Sequence, residues 1–465
     1  MSFFRFPKFS FDTLSLNKVN YWYSQKWIIP SALIFLLVVF LLSLFVPPMQ
    51  SPDEYNHLER AYLLSKGELR LERSDDKLLG GFVDTGLLAY MFSLKEVPYH
   101  PEVKVDQDLL KNMRQISWSH HEEFLIYKNT PIYGPFVYLP QAAGLGIGKF
   151  LDFSIHHSYM LARFLPLLFS ILMIAFAAKI FPVPPLAFGI LFTPISLFQL
   201  STTSPDGLSY ALSILVLSLF SKVIFQKEQI TTTLILLFAF SSFALITRFF
   251  SFIPIVLMPF IAYLIHKETK YIYLSLLILC SSLLWIAFAF TMPTMPSTSI
   301  LNKVTYYLTS PFELVKVYFN TVSTYGILRN NLYELIGRLG WQDTKINGKI
   351  FYVLPLFYLI YVSILKSKID LFDFYRKSLF YLAITSILLV LFMLLVGWTV
   401  SHPAKRIDGV TGRYFIPIMY FFAYAYGPFH MKLKSYKMIY VIILLLLVIS
   451  SVLIVMTMLQ RYWLN

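Results

Sequence analysis

Two copies of Ser-Pro-Asp stand where long apolar runs meet polar sequence: Ser51-Pro52-Asp53 in VPPMQSPDEYNHLERAYLLSKGEL and Ser204-Pro205-Asp206 in FQLSTTSPDGLSYALSIL. In the first, serine is a favoured N-cap, proline suits the first helical position, and Glu54 completes a Ser-x-x-Glu capping box. A helix starting there puts Asp53, His57 and Arg60 at i, i+4 and i+7, on one face. A carboxylate, an imidazole and a guanidinium on one stripe exceed what a cap needs and could together move a proton and hold an anion. Asp206 repeats the opening at the head of an apolar helix, where a first-turn acid also complements the helix dipole by about 0.3 to 1 kcal/mol. Both sites read as cap and functional site together, with Asp53, Glu54 and Asp206 as candidate catalytic acids.

Several cations stand at the ends of apolar runs: Arg163, Arg248, Lys405, Arg406 and Arg413. An arginine inside a membrane segment is costly and usually pairs or serves a site, whereas a terminal one can simply snorkel. Arg413, in GVTGRYFIP with Tyr414 beside it, has glycines that let backbone and ligand approach closely, and a guanidinium fork suits phosphate. Trp341, in GRLGWQDT beside Asp343, offers a flat face for a sugar ring or an anchor at the membrane interface. Acids and guanidiniums meeting at a membrane surface could hold a lipid phosphate and deprotonate a hydroxyl. That chemistry suits transfer of a sugar from a lipid-phosphate donor.

His120, His121, Glu122 and Glu123 could bind a divalent cation, but their spacing matches no specific metal motif, and a solvated loop face explains them as well. The chain has no P-loop, no Gly-x-Ser-x-Gly elbow and no dinucleotide fingerprint, so no cofactor is expected and the driving energy should come with the donor.

The elements that must position these residues follow from composition. The 465 residues are 57% hydrophobic, 18% aromatic and only 14% charged, against about a quarter charged in soluble domains. An all-α polytopic membrane protein is the expectation. Its formal charge of +14 sits in short segments between apolar runs, as the positive-inside rule predicts, which argues against nucleic acid as a partner. Cys280 stands alone in an apolar run and is expected to be a packing residue.

Apolar stretches of spanning length fall near 27–46, 159–180, 183–202, 206–225, 230–247, 249–265, 271–291, 349–365, 378–399, 414–430 and 438–459. These make eleven expected spans, each near the roughly 20 residues a bilayer requires. With segment 1–26 cytoplasmic, the loops carrying Lys179, Lys222 with Lys227, Lys267 with Lys270, Lys366 to Lys377, and Lys432 to Lys437 fall inside. Segment 131–151, PIYGPFVYLPQAAGLGIGKFL, is apolar but holds three prolines and four glycines. It is expected to be a membrane-surface or re-entrant piece, because counting it as a span would invert every later loop. A transmembrane module at 27–291 then carries a large first extracytoplasmic loop (47–158). A second loop follows at 292–348, and C-terminal helices fill 349–465. The polar residues above converge on the extracytoplasmic side.

The stretches SPDEYNHLERA, SPDGL, GRLGWQDT and GVTGRYFIP, in that order, resemble the motifs of a bacterial family of multi-pass membrane proteins of unknown function that is grouped with the GT-C glycosyltransferases. The resemblance runs from about Val46 to about Ile418. Two positions depart from it: Ser204 stands where the family usually has Asn, and Thr411 where it usually has Gln. The resemblance implies a GT-C-like fold in a bacterial plasma membrane with the active site at the outer face. It implies a general-base acid just after the first span, matched by Asp53, and a second acid in the next outer loop, matched by Asp206. It also implies a polyprenyl-phosphate sugar as donor and an envelope glycan or glycolipid as acceptor. In that frame Arg413 stabilises the departing phosphate with Arg406, Lys405 or Arg248 as helpers. Glu54, His57 and Asp206 orient Asp53 or the acceptor, and Arg60, Arg163, Trp341, Asp343 and Tyr414 contact substrate.

Two other classes compete. An envelope-glycan polymerase or ligase would rely on arginine and histidine in a large late loop, whereas 292–348 has Arg329 and Arg338 but no histidine. A lipid-linked sugar transporter would show inverted repeats or paired broken helices near the membrane midplane, and the sequence has no clear internal repeat beyond the two Ser-Pro-Asp sites.

Overall fold

A computed structural model describes residues 23–73, 79–126, 130, 132–290, 297–348, 371–426 and 433–464. The expected cytoplasmic segment through residue 22 and the expected span at 349–365 lie outside the described residues. The rest is mostly helical, as an apolar chain of this composition must be if its backbone groups are to be satisfied away from water.

In chain order the helices are α1 (Ile28–Ser43), α2 (Glu54–Ser65), α3 (Thr85–Phe92), α4 (Gln107–Met113), α5 (Leu139–Phe150) and α6 (Ile155–Ile180). Next come α7 (Pro185–Leu191), α8 (Pro194–Leu200), α9 (Asp206–Phe225), α10 (Thr232–Arg248), α11 (Leu257–His266) and α12 (Lys270–Phe290). The last are α13 (Ser297–Thr309), α14 (Pro311–Ser323), α15 (Tyr325–Gly337), α16 (Leu371–Gly397), α17 (Ile416–Tyr426) and α18 (Leu433–Met458).

Among the described residues, six helical stretches are long and apolar enough to cross a membrane: Gln25–Ser43, Ile155–Ile180, Asp206–Phe225, Lys270–Ala289, Asp373–Gly397 and Met438–Trp463. Eleven were expected; one of them, 349–365, and the end of another, 414–430, lie outside the described residues, and the rest of the difference has local causes. The stretch 183–202 is two short helices, α7 and α8, each opening on a proline. Proline has no N–H for the ladder and clashes with the preceding turn, so Pro194 ends one helix and starts the next. The stretch 249–265 is a 3-10 segment, Phe250–Val256, followed by α11. Helix α10 has 17 residues and α17 has 11.

Helix α9 is the axis of the fold, with all twenty residues buried. Its serines let neighbours approach and supply polar glue: Tyr424 and Ser218 share a hydroxyl hydrogen bond of 2.6 Å, as do Tyr375 and Ser221. The outer helices are half bare. Ile29, Leu33, Leu37 and Leu41 of α1 recur every fourth residue on one exposed stripe, the face a lipid-embedded helix presents. Cys280, expected in packing, is exposed on α12.

Helix α5, from the proline- and glycine-broken segment, is 12 residues long, about 18 Å against the ~30 Å hydrocarbon core. It lies along α6 and α2. Gly144 and Gly148 make this possible: a Cβ on Gly144 would stand 2.4 Å from the backbone N of Ala162, and one on Gly148 would stand 2.2 Å from Ser158 Oγ.

The all-α expectation needs one amendment. The first large loop folds into a three-stranded antiparallel sheet, β1 (Glu72–Arg73), β2 (Leu79–Asp84) and β3 (Glu122–Ile126), with Gly80 opposite Ile126 and Asp84 opposite Glu122. A two-stranded ribbon, β4 (Arg338–Leu339) and β5 (Thr344–Lys345), frames Trp341. Sheets are affordable here because loop backbone is not forced into helix by hydrocarbon.

Candidate active site

The first Ser-Pro-Asp does not cap its helix as the sequence suggests. The helix begins at Glu54, and Asp53 takes the left-handed conformation with φ 60° and ψ 13°, one that aspartate tolerates better than most residues. Half of the capping box forms: the Glu54 carboxylate accepts from the Ser51 N–H at 2.9 Å, but Ser51 Oγ donates to Gln199 Oε1 at 3.2 Å. The left-handed residue turns Asp53 off the helix, so the expected stripe of Asp53, His57 and Arg60 is not built. His57 Nδ1 meets the Tyr138 hydroxyl at 2.8 Å, and Arg60 donates to the carbonyls of Glu68 at 3.4 Å and Leu69 at 2.8 Å.

Glu54 and Asp53, adjacent in sequence, have opposite surroundings. Glu54 is fully buried and also accepts from the Tyr159 hydroxyl at 2.8 Å, the Thr203 hydroxyl at 2.7 Å and the Thr203 N–H at 3.3 Å. It thereby joins the first Ser-Pro-Asp loop to the second. The Asp53 side chain is 36% exposed and accepts from Arg413 Nη2 at 2.5 Å.

Asp206 begins α9 with Pro205 at the N-cap position, and its N–H donates to Ser204 Oγ at 3.3 Å, so the second serine supports the turn from just outside the cap. Its buried carboxylate accepts from Arg248 Nη2 at 3.0 Å and stands 3.8 Å from Arg413 Nη1. Arg413 therefore lies between the two aspartates. Two acids and two guanidiniums form a neutral cluster in which all but Asp53 are nearly dry. Arg248 also meets the Tyr133 side chain, and Nε of Arg413 makes no hydrogen bond to another described residue. Guanidiniums beside a partly exposed carboxylate are chemically suited to take up an anion.

Arg413 is held from behind. Its turn, Gly412–Phe415, starts with the Gly412 N–H donating to Glu334 Oε2 at 2.8 Å, while Glu334 Oε1 accepts from Arg338 at 3.0 Å. A Cβ on Gly412 would stand 2.3 Å from the Asn331 carbonyl oxygen and 2.9 Å from Glu334 Cβ. Gly412→Ala is expected to push Arg413 out of register. Thermal melting of the purified variant should fall by several degrees, the effect of about 1 to 3 kcal/mol of overpacking.

The other expected site residues separate into groups. Tyr414 has its ring 5.2 Å from the Arg413 guanidinium carbon. Trp341 donates its indole N–H to the Met49 carbonyl at 2.9 Å, four residues before Asp53. Asp343 is engaged structurally: it accepts from Arg461 at 3.1 Å and from the Tyr99 N–H at 3.0 Å. Arg163 is buried, donating to the carbonyls of Ser201 and, at 2.9 Å, Val46, so it ties the segment after α1 to the end of α8. Lys405 and Arg406 are exposed, and among the described residues neither is ion-paired with the four-charge cluster. Of the metal candidates, Glu122 is taken by Lys66 at 2.7 Å and Tyr62 at 2.8 Å. Among the described residues no three His, Cys, Asp or Glu side chains converge.

Sequence reasoning missed Tyr133 and Tyr138, both from the broken segment. The Arg248 guanidinium carbon lies 4.2 Å from the Tyr133 ring centre, and Tyr138 holds His57. Two tyrosines five residues apart in a Pro- and Gly-rich apolar stretch were the available signal. Burial, with Arg248 and Arg413 adding to it, pushes the His57 pKa well below the usual imidazole range. The unfolded chain takes up this proton near pH 6.5 while the folded protein refuses it. His57 thus contributes stability above that pH and withdraws it as pH falls below. Melting temperatures at pH 7.5 and 5.0 should differ less in His57→Gln than in the wild type.

Residues 35–422 match a family described as "Predicted membrane protein (DUF2142)". The chain belongs to that family. No curated protein and no solved structure matches the chain. The matched stretch of this DUF2142 protein contains all four charges of the cluster and Trp341, whereas Arg461, which anchors Asp343, lies beyond it.

Proposed function

We propose that this DUF2142 protein is a membrane glycosyltransferase, GT-C-like in arrangement. It would move a sugar from a polyprenyl-phosphate donor to an envelope glycan or glycolipid acceptor, with inversion, at the extracytoplasmic face of a bacterial plasma membrane. The observation that carries this reading is the pairing of the partly exposed Asp53 carboxylate with Arg413, one of two buried guanidiniums that share Asp206.

The steps balance without a cofactor. The donor phosphate competes with Asp53 for Arg413, and Arg248 adds a second guanidinium charge, since guanidinium forks match phosphate oxygens. Asp53, released from its ion pair, accepts the proton of an acceptor hydroxyl. That oxygen attacks the anomeric carbon from the face opposite the phosphate. The bond from carbon to phosphate oxygen breaks and its electron pair stays on the polyprenyl phosphate, where the guanidiniums offset the developing charge. Asp206 keeps both arginines in place and does not itself take a proton.

The test is donor consumption by the purified full chain in nanodiscs, with a panel of polyprenyl-phosphate sugars and envelope lipid extract as acceptor. Consumption of one donor with release of polyprenyl phosphate supports the reading. If no donor is consumed, the polymerase or ligase and the transporter readings move ahead. The transporter reading has one observation in its favour, the broken helix pair α7 and α8 inside the apolar core.

A further inference from the structure

Among the described residues seven non-glycine residues have positive φ, and four of them lie around one spot: Met49 (62°), Asp53 (60°), Tyr99 (65°) and Gln342 (65°). Such backbone is costly for residues with side chains and persists where the surroundings impose it, often at ligand sites. Each of the four has an identifiable restraint. The Met49 carbonyl accepts from Trp341, Asp53 is paired with Arg413, the Tyr99 N–H is held by Asp343, and Gln342 donates to Thr411 Oγ1 at 3.1 Å.

The result of this arrangement is a row of aromatic rings. Trp341 lies 5.5 Å from Tyr55 and 5.8 Å from Tyr99, centre to centre, and Tyr55 stacks on Phe92 at 5.7 Å and 13°. Tyr99 is 65% exposed and Phe92 40%, while Trp341 and Tyr55 are partly exposed. An interfacial anchor would face lipid along an apolar helix surface. This row instead borders charged groups, for Tyr99 lies close enough to Asp53, Asp343 and Arg413 to feel all three charges.

We propose that Tyr99, Trp341 and Tyr55 form a stacking subsite for a neutral pyranose ring of the acceptor glycan, presenting its hydroxyl to Asp53. The assignment rests on the transferase reading but has its own chemistry. The C–H faces of a pyranose suit flat aromatic surfaces, and its hydroxyls suit a carboxylate rim.

Titration of the full-length protein in nanodiscs with soluble neutral oligosaccharides, read by saturation-transfer NMR and calorimetry, tests this without turnover. Binding to the wild type and to Asp53→Asn is expected. Tyr99→Ala and Trp341→Ala should weaken it by about tenfold or more, and Trp341→Phe should stay within about threefold. Tyr99 is exposed, so its variant should fold even if Trp341→Ala does not. The proposal is overturned if no oligosaccharide binds the wild type. It is also overturned if Tyr99→Ala, together with Trp341→Ala where that variant folds, binds as the wild type does, which leaves the rings as interfacial anchors. Ring-dependent sugar binding without consumption of any donor would retain the subsite and discard transfer. Donor consumption with an unchanged acceptor KM in Tyr99→Ala would do the reverse.

Discussion

Asp53→Asn should lower sugar transfer by roughly two to four orders of magnitude, the usual contribution of a general base, while the protein still folds, with a lowered melting temperature. Asparagine is among the few residues that accept the left-handed backbone found at this position. The guanidinium that loses this ion pair is buried, so the cost exceeds the about 0 to 1 kcal/mol of a fully exposed pair, softened because the asparagine Oδ1 can still accept from Arg413. Arg413 keeps Asp206 nearby, so donor binding should survive and strengthen slightly, because the phosphate no longer competes with a carboxylate. Single-turnover transfer, donor affinity and melting temperature, measured on one preparation, check all three expectations. A folded Asn variant within about threefold of the wild-type rate would remove Asp53 from the chemistry.

Glu54→Ala should behave in the opposite way, with loss of folded protein. Its carboxylate accepts four hydrogen bonds, from Ser51, Tyr159 and twice from Thr203, in a site without solvent. Each buried donor left unpaired costs about 1 to 3 kcal/mol, so a total above about 4 kcal/mol is expected, a large part of the stability of most domains. Yield of monodisperse protein and thermal melting read this directly. Glu54→Gln should be milder, because one acceptor oxygen remains while an NH2 group meets a donor. A Glu54→Ala protein that melts normally but transfers no sugar would place Glu54 in the chemistry and refute its role as a clamp.

These two neighbouring acids show how far the sequence could be read. Both fall in a motif whose capping logic is plain, and the capping box correctly implies that Glu54 reaches back to Ser51. Its other donors, Tyr159 and Thr203, come from 105 and 149 residues away, and no local pattern announces them. The same limit explains Arg60 and Asp343. Each stands beside a good candidate in sequence, yet the tertiary structure turns each toward a structural partner.

Membrane character, by contrast, is local. Runs of some 20 apolar residues need a helix and a bilayer wherever they occur, and composition alone determined that much. The prolines that split 183–202 were also visible, and hydropathy averaging outweighed them. Residue types determined the chemistry on offer: carboxylates that can take protons, guanidiniums that can hold phosphate, and no cofactor motif. Only the tertiary structure decided which of them meet. Arg413 reaches Asp53 across 360 residues, and Arg248 reaches Asp206 across 42. The physical reason is that burial and pairing of a charge depend on how helices pack around α9. One left-handed φ at Asp53 then separates an open carboxylate from the buried one beside it.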